Sequence, residues 1–387
     1  MGFMKSTKVV KYIFLLVLLT ISIGGIYYLQ LPNRHKAIIK TRVAHSLHLV
    51  DKSWNIATSD SSTSYTTPTL IIDNIYKSME GPKVMQGFQL DGLKQELVWI
   101  TSFKTTVVNE YETNNLSNDY ICHTNIDYYD SSYYSNWDLP NKIGAHYPRL
   151  ATLTNGMESY KFPEGFGFPI LTNDYLYLST QSLNQNKKDT IFKVKHRVEI
   201  GYKKHQKGIK PLESRTIFIM LPYNLDDPFN ENAARANPNL CIPIETKNHS
   251  YTNDKGQALS GHWVIFPGKE TFRYTITKQL ALKDSTSLHH IATHLHPFAE
   301  SLTLQNSTTG EIIFTAFTEN YTNKIGLKNI PEFSSKEGVM LYADNEYELI
   351  LKTNNTTNEA QDMMASMFLG LYDAELAKKI EEKYLIQ

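Results

Sequence analysis

Cysteine is scarce in this chain: Cys122 and Cys241 are the two in 387 residues. They can close one disulfide if the fold joins them in an oxidising compartment; otherwise they are two buried thiols. A disulfide scaffold and a zinc ribbon are both excluded. Net charge is missing too, with Lys plus Arg and Asp plus Glu each totalling 39. Without excess charge or a long basic stripe, nucleic acid is not an expected partner. Strong internal repeats are lacking, and a helical pattern is clear only at the C-terminal end.

What is abundant points to sheet. The 24 tyrosines and 17 phenylalanines suit pleated, half-buried surfaces. The length suits two ordinary domains behind an anchor. Val9 to Leu31 is almost wholly apolar, with Lys11 near its start, and roughly 20 such residues cross a bilayer. Lys5, Lys8 and Lys11 precede the apolar centre, which predicts a cytoplasmic N-terminus and an exported body. Arg34, Lys36, Lys40 and Arg42 on the other flank oppose that bias, but a long C-terminal domain translocates largely regardless of them. No small-x-small cleavage site follows, so an uncleaved single-pass anchor is expected.

Residues 32–64 read as a tether, polar and basic at first and ending in the Ser/Thr-rich run 59–64. Order is expected from Pro68-Thr69-Leu70-Ile71-Ile72. From there, short alternating apolar runs are separated by Gly, Pro, Asn and Asp, among them Leu97 to Ile100, Arg197 to Ile200 and Glu311 to Phe314. Many short strands between turn signals suggest sandwiches or jelly rolls. Residues 374–387 read as a helical tail that Asp373 can cap. A domain junction is placed near residue 212, giving domains at 65–212 and 213–373.

The chemistry concentrates in Leu288-His289-His290-Ile291-Ala292-Thr293-His294-Leu295-His296. In a strand, the even-numbered side chains His290, His294 and His296 share one face. Neighbouring imidazoles on one face can grip one metal ion, and imidazole suits copper and zinc. His-x-His is also common on the wet face of a sheet. Downstream, Met363, Ala365, Met367, Leu369 and Leu371 form one apolar face, which reads as core. Met364 lies opposite, with Ser366. Its thioether is soft and selects copper, although methionine is more often a packing residue. Cys122 beside His123 would add a strong soft donor. Adjacent strand residues point to opposite faces, so one ion held by both would need a bulge, and Cys122 reads as structural. His262 begins a strand with Trp263 and can border a cleft, although a surface or hydrogen-bonding role is the commoner one.

Taken in order, His294-Leu295-His296 and then Asp362-Met363-Met364 resemble the copper type II, ascorbate-dependent monooxygenase family, which includes the peptidylglycine α-hydroxylating enzyme. Phe162 to Phe168 and Phe266-Pro267-Gly268 resemble two of that family's turns, and the likeness spans roughly residues 68–373. It implies an all-β fold of two consecutive antiparallel jelly-roll or β-sandwich domains, here behind a transmembrane helix. It also implies copper on His294, His296 and Met364, with an external reductant such as ascorbate. The family's first copper is held by an adjacent His-His pair and a later His. Here the pair reads Cys122-His123, and Leu178 to Asn184 holds no His. The resemblance therefore implies a first site altered or lost, unless His146 or His196 substitutes. Three readings follow: a membrane-anchored, monooxygenase-like oxidoreductase of unknown substrate, which the family's activity favours; a non-catalytic copper holder or carrier; and a glycan- or peptide-binding jelly roll.

Overall fold

The computed structural model describes residues 3–91, 94–223, 246–247 and 251–384. Cys241 lies outside them, and so does any disulfide it forms with Cys122. Phe3–Gln30 is one helix. Its segment Val9–Gln30, 22 residues, is long and apolar enough to cross a membrane, and none of it is buried in the fold. A signal sequence would answer the same description.

The expected tether is corrected. Pro32 ends the first helix and leads a second, Asn33–Ser46, which docks through Ala37, Thr41 and Ala44. Their spacing of four and three residues makes one helical stripe. Ala37 packs with Leu70, Ile72, Tyr76 and Val107, and Lys40 Nζ reaches Asp73 Oδ2 at 2.6 Å. Asn55–Thr58 and Ser62–Thr66 then pair as an antiparallel hairpin. The Ser/Thr-rich run is the hairpin turn through residue 61 and strand from Ser62, where threonine is β-branched and can turn its methyl inward; Thr63 is fully buried, as is Tyr65.

The body is all-β apart from short helices, and it forms two antiparallel β-sandwich units in sequence. Their first layer is a single sheet. It runs from the hairpin through Phe192–Lys204, Leu97–Asn109, Phe166–Leu171, Lys210–Phe218, Ala365–Tyr372 and Thr286–Leu295 to Phe333–Leu341. Lys210–Phe218 carries the join: it pairs parallel with Phe166–Leu171 and antiparallel with Ala365–Tyr372. The position read as a junction is thus a strand common to both halves. Each half adds a second layer of four strands. In the N-terminal half these are Lys83–Phe88, Leu176–Ser182, Ile121–Tyr128 and Arg149–Leu153. In the C-terminal half they are Gly268–Thr275, Tyr347–Asn355, Ala299–Asn306 and Ile312–Phe317.

One hydrophobic core runs through both halves, from Trp99, Ile126 and Leu178 to Leu302, Leu351 and Met367. The final helix, Ala374–Tyr384, starts at Asp373, whose Oδ1 accepts the Leu376 N–H at 2.9 Å. It buries Leu376 and Ile380, worth about 1.5–3 kcal/mol each. Tyr384 packs against Trp137 and His205, so the tail crosses back onto the N-terminal half.

Candidate functional site

A cavity of about 290 Å3 opens where the two halves meet. Strand alternation, with a register break between Arg149 and Ala151, places most of its walls. From Ile121–Tyr128 come His123, Asn125 and Asp127; from the neighbouring strand come Arg149 and Thr152. The C-terminal half supplies His294, His296, Met364, Ser366 and His262. Met363, Ala365, Met367, Leu369 and Leu371 are buried on the other face.

The imidazoles gather in one place. The His294 and His296 ring centroids are 5.2 Å apart at 83°, and those of His262 and His296 are 5.4 Å apart, also at 83°. Two imidazoles sharing one ion at ordinary bond lengths have centroids roughly 5 Å apart. His296 Nδ1 donates to the Asp362 carbonyl at 3.2 Å. That bond fixes the ring and leaves Nε2 as the lone-pair nitrogen. The hydroxyl of Ser78 approaches that Nε2 at 3.3 Å. His294 Nδ1 is buried and meets no hydrogen-bond partner among the described residues.

Burial keeps the rings neutral. It pushes His296 down to about 4, with the Asp362 carbonyl acting in the opposite direction. His294 is held well below the usual imidazole range by burial and then by His296, His123 and His262. His123 is lowered by burial first, then by the charges of Lys83 and Arg149. A neutral imidazole is the ligand form. Opposite the rings, Arg149 pairs through Nε with Asp127, and it donates to Thr152 Oγ1 at 3.1 Å and Tyr147 Oη at 3.2 Å.

Two readings are corrected. His290 does not join the cluster. It shares the face of His294 but lies four residues up the strand, roughly 13 Å away. There it bonds Glu332 Oε2 at 3.2 Å and packs against Tyr160 and Phe162. His262 is no surface residue: it is 0% exposed and stands beside His296. Neither proposed substitute reaches the cleft. His196 is buried in the N-terminal sandwich, bonded to Thr180 at 2.6 Å and Ser182 at 3.3 Å, and His146 stands near Glu213. Met79 and Met85 also line the cavity. No sequence signal marks them, because they sit on a loop and a short outer strand.

At Cys122 the strand carries the bulge that one ion shared with His123 would need. Gln181 pairs with His123 and Ser182 with Ile121, so Cys122 is the extra residue of a β-bulge. The bulge breaks the alternation, and Cys122 Sγ lies 3.3 Å from His123 Nδ1.

Among the described residues, no three His, Cys, Asp or Glu side chains surround one point at metal-ligand spacing. The donors come as pairs, His294 with His296 and Cys122 with His123, and the remaining soft atoms are thioethers. This donor set fits copper better than zinc, calcium or magnesium, because thioether and imidazole are its preferred ligands.

No family model and no curated protein matches the chain. Similar solved structures include the major capsid protein P2 from Bacteriophage PM2, 8% identical with a TM-score of 0.30, covering 79% of this chain and 98% of that one. Another is PNGase F, a glycosylasparaginase from Flavobacterium meningosepticum, 10% identical with a TM-score of 0.29, covering 78% and 95%. The STIV MCP is 8% identical, with a TM-score of 0.32 and coverage of 80% and 98%. At these scores the likenesses carry no functional argument.

Proposed function

We propose that this chain is a membrane-anchored, exported copper protein of the monooxygenase-like oxidoreductase class, with its metal on His294, His296 and Met364. The observation that carries the reading is the common wall these three side chains form, together with the buried, unpartnered Nδ1 of His294. Such copper supplies one-electron and dioxygen chemistry when bound, with an outside reductant such as ascorbate.

The chain's own groups do the remaining work. Asp362 holds His296 in one tautomer through its carbonyl. Burial keeps the rings unprotonated, so no imidazolium proton has to leave before binding. The cavity leaves room for a small substrate beside the donors, and Arg149, Asp127 and Tyr147 give it a polar far wall. Lys5, Lys8 and Lys11 favour the orientation with the body outside the cytoplasm.

The test is metal analysis of the full-length chain in detergent after equilibration with copper and zinc together. Copper should be retained over zinc, and His294→Ala and Met364→Ala should each weaken it at least tenfold. Equal zinc binding with no effect of Met364→Ala would end the reading.

A copper holder without turnover is the second reading. Met79 and Met85 on the same cavity favour it, since extra thioethers serve retention of Cu(I). Oxygen uptake with ascorbate, wild type against His296→Ala, separates the two; uptake no greater than the variant's favours the holder.

A further inference from the structure

Arg34, Lys36, Lys40 and Arg42 stand on the flank of the apolar helix that an exported body ordinarily leaves poor in cations. Lys40 is held by Asp73, but Arg34, Lys36 and Arg42 meet no carboxylate among the described residues. No Asp or Glu occurs in the chain before Asp51, so nothing in this stretch offsets their charge.

The helix that carries them, Asn33–Ser46, has two faces. Ala37, Thr41 and Ala44 are turned to the body and buried. Ile39 and Val43 lie about half a turn round from that stripe, with Lys36 on one side of them and Arg42 on the other. Leu47 and Leu49 follow the helix, and Ile56 lies in the hairpin beyond. These five aliphatic side chains are between 38% and 66% exposed.

Two observations say what covers them. The first is covalent. The span Val9–Gln30 ends two residues before Asn33, so the second helix starts at the membrane surface. The second is direction. Pro32 takes an extended ψ of 152°, which breaks the helical path, and Tyr28 in the last turn of the first helix stands near Tyr76 of the body. Continued along the bilayer normal, the second helix would carry Leu47 and Leu49 roughly 20 Å into water. Laid flat, it keeps all five aliphatic side chains at the interface.

We propose that Asn33–Ser46, with Leu47, Leu49 and Ile56, lies on the bilayer that the first helix spans. The aliphatic stripe enters the boundary of the acyl chains, and Arg34, Lys36 and Arg42 bind anionic phosphate headgroups. The cations that oppose the charge rule thereby have a partner outside the protein. This rests on the membrane anchor of the proposed function and not on its copper. The seat also reaches the cleft. Lys40 Nζ donates to Tyr76 Oη at 3.0 Å, and Tyr76 packs with Ala37. Ser78 and Met79, just beyond Tyr76, line the cavity. The second helix is therefore a rigid foot, and it sets the height of that wall above the lipid.

The experiment places one nitroxide on the full-length chain in vesicles, in a Cys241→Ser background whose remaining Cys122 is buried. Labels go on Val43→Cys, Leu47→Cys and, for reference, Ile312→Cys, a position 63% exposed in the C-terminal half. In phosphatidylcholine with phosphatidylglycerol, oxygen should relax the labels at 43 and 47 more than an aqueous nickel chelate does. The label at 312 should show the reverse. Arg34→Gln, Lys36→Gln and Arg42→Gln together should move the first two labels toward water, lowering the ratio of seated to lifted chains about fivefold for each charge removed. Phosphatidylcholine alone should do the same to the chain that keeps its cations.

Nickel reaching position 43 as freely as position 312, in a chain that resists carbonate extraction, overturns the seat and leaves the anchor standing. Labels at 43 that broaden one another across two chains put a second copy on this face, and overturn it too. An oxygen preference that is the same with and without phosphatidylglycerol overturns the headgroup contacts. A chain released by carbonate sinks the seat and the anchor together.

Discussion

Lys142 Nζ lies 2.6 Å from Asp373 Oδ2, so a lysine of the N-terminal half neutralises the carboxylate that caps the C-terminal helix. The same ammonium reaches Glu213 Oε2 at 3.1 Å on the strand common to both sandwiches. Asp373 and Glu213 are largely buried, and each raises the cost of the other's charge. Lys142 therefore fastens the two halves and the tail at one point.

Removing it should leave two buried carboxylates facing each other. Lys142→Met is expected to cost about 3 kcal/mol, since breaking one side of a buried ion network exposes the rest to full desolvation. The pH response should also change. In wild type Glu213 is held below its usual range by Arg215 and Lys142, so its contribution is lost as pH falls, while burial and then Glu213 already push Asp373 up. Without Lys142 Asp373 is pushed up further, and the variant should recover stability relative to wild type on moving from pH 7 to 5. Urea midpoints of both proteins at the two pH values measure this; a loss below about 0.5 kcal/mol at pH 7 would place the network among ordinary surface pairs.

His196 should make the fold sensitive to acid. Its ring is fully buried between Thr180 and Ser182, and burial lowers it from 6.5 to about 4. A depressed histidine contributes stability in full above its unfolded value and loses it as pH falls toward the folded one. The window is therefore pH 6.5 to 4, and the size is about 3 kcal/mol. His196→Gln should be less stable than wild type at pH 7.5 yet lose less between pH 7.5 and 4.5. Parallel losses in the two proteins would refute the assignment.

Met364 and Met367 should behave oppositely. Met367 is fully buried in the core, so Met367→Ala is expected to cost about 2–4 kcal/mol. Met364 faces the cavity and is only partly buried, so Met364→Ala should cost less than about 1 kcal/mol in metal-free protein. Denaturant midpoints in the presence of chelator read both; equal losses would show that Met364 is a packing residue.

How far the sequence could be read divides along physical lines. The shared face of His294 and His296 was legible because alternation within one strand is a local property, fixed at two residues per repeat; the choice of Met364 as a donor rested on the family resemblance. The all-β architecture was legible from strand-length apolar runs. The helix at Asn33–Ser46 was not, because its contact stripe is Ala37, Thr41 and Ala44, side chains too small to make an apolar signal. The turn of Cys122 toward His123 was not either. A bulge is set by the register of the neighbouring strand Leu176–Ser182, which the residues around Cys122 do not encode. His262 was left between cleft and surface because a three-residue strand, Trp263–Ile265, shows no period.

His262 and His290 give the sharpest test of position against pattern. By strand alternation alone, His290 belongs with His294 and His296, and His262 belongs nowhere near them. In space the ranking is reversed: His262 packs edge-on to His296 at 5.4 Å, whereas His290 is held by Glu332 among aromatic rings. Removing a buried neighbour that fixes a ligand ring typically weakens metal binding by about 10–100-fold. His262→Leu should therefore lower copper affinity by at least about tenfold with little change in fold. His290→Leu should leave affinity unchanged and act on stability alone, through the lost bond to Glu332. Competition titrations of the two variants, each beside its denaturation midpoint, decide the matter. A larger loss of copper in His290→Leu would mean that the strand face, and not the cleft, holds the metal.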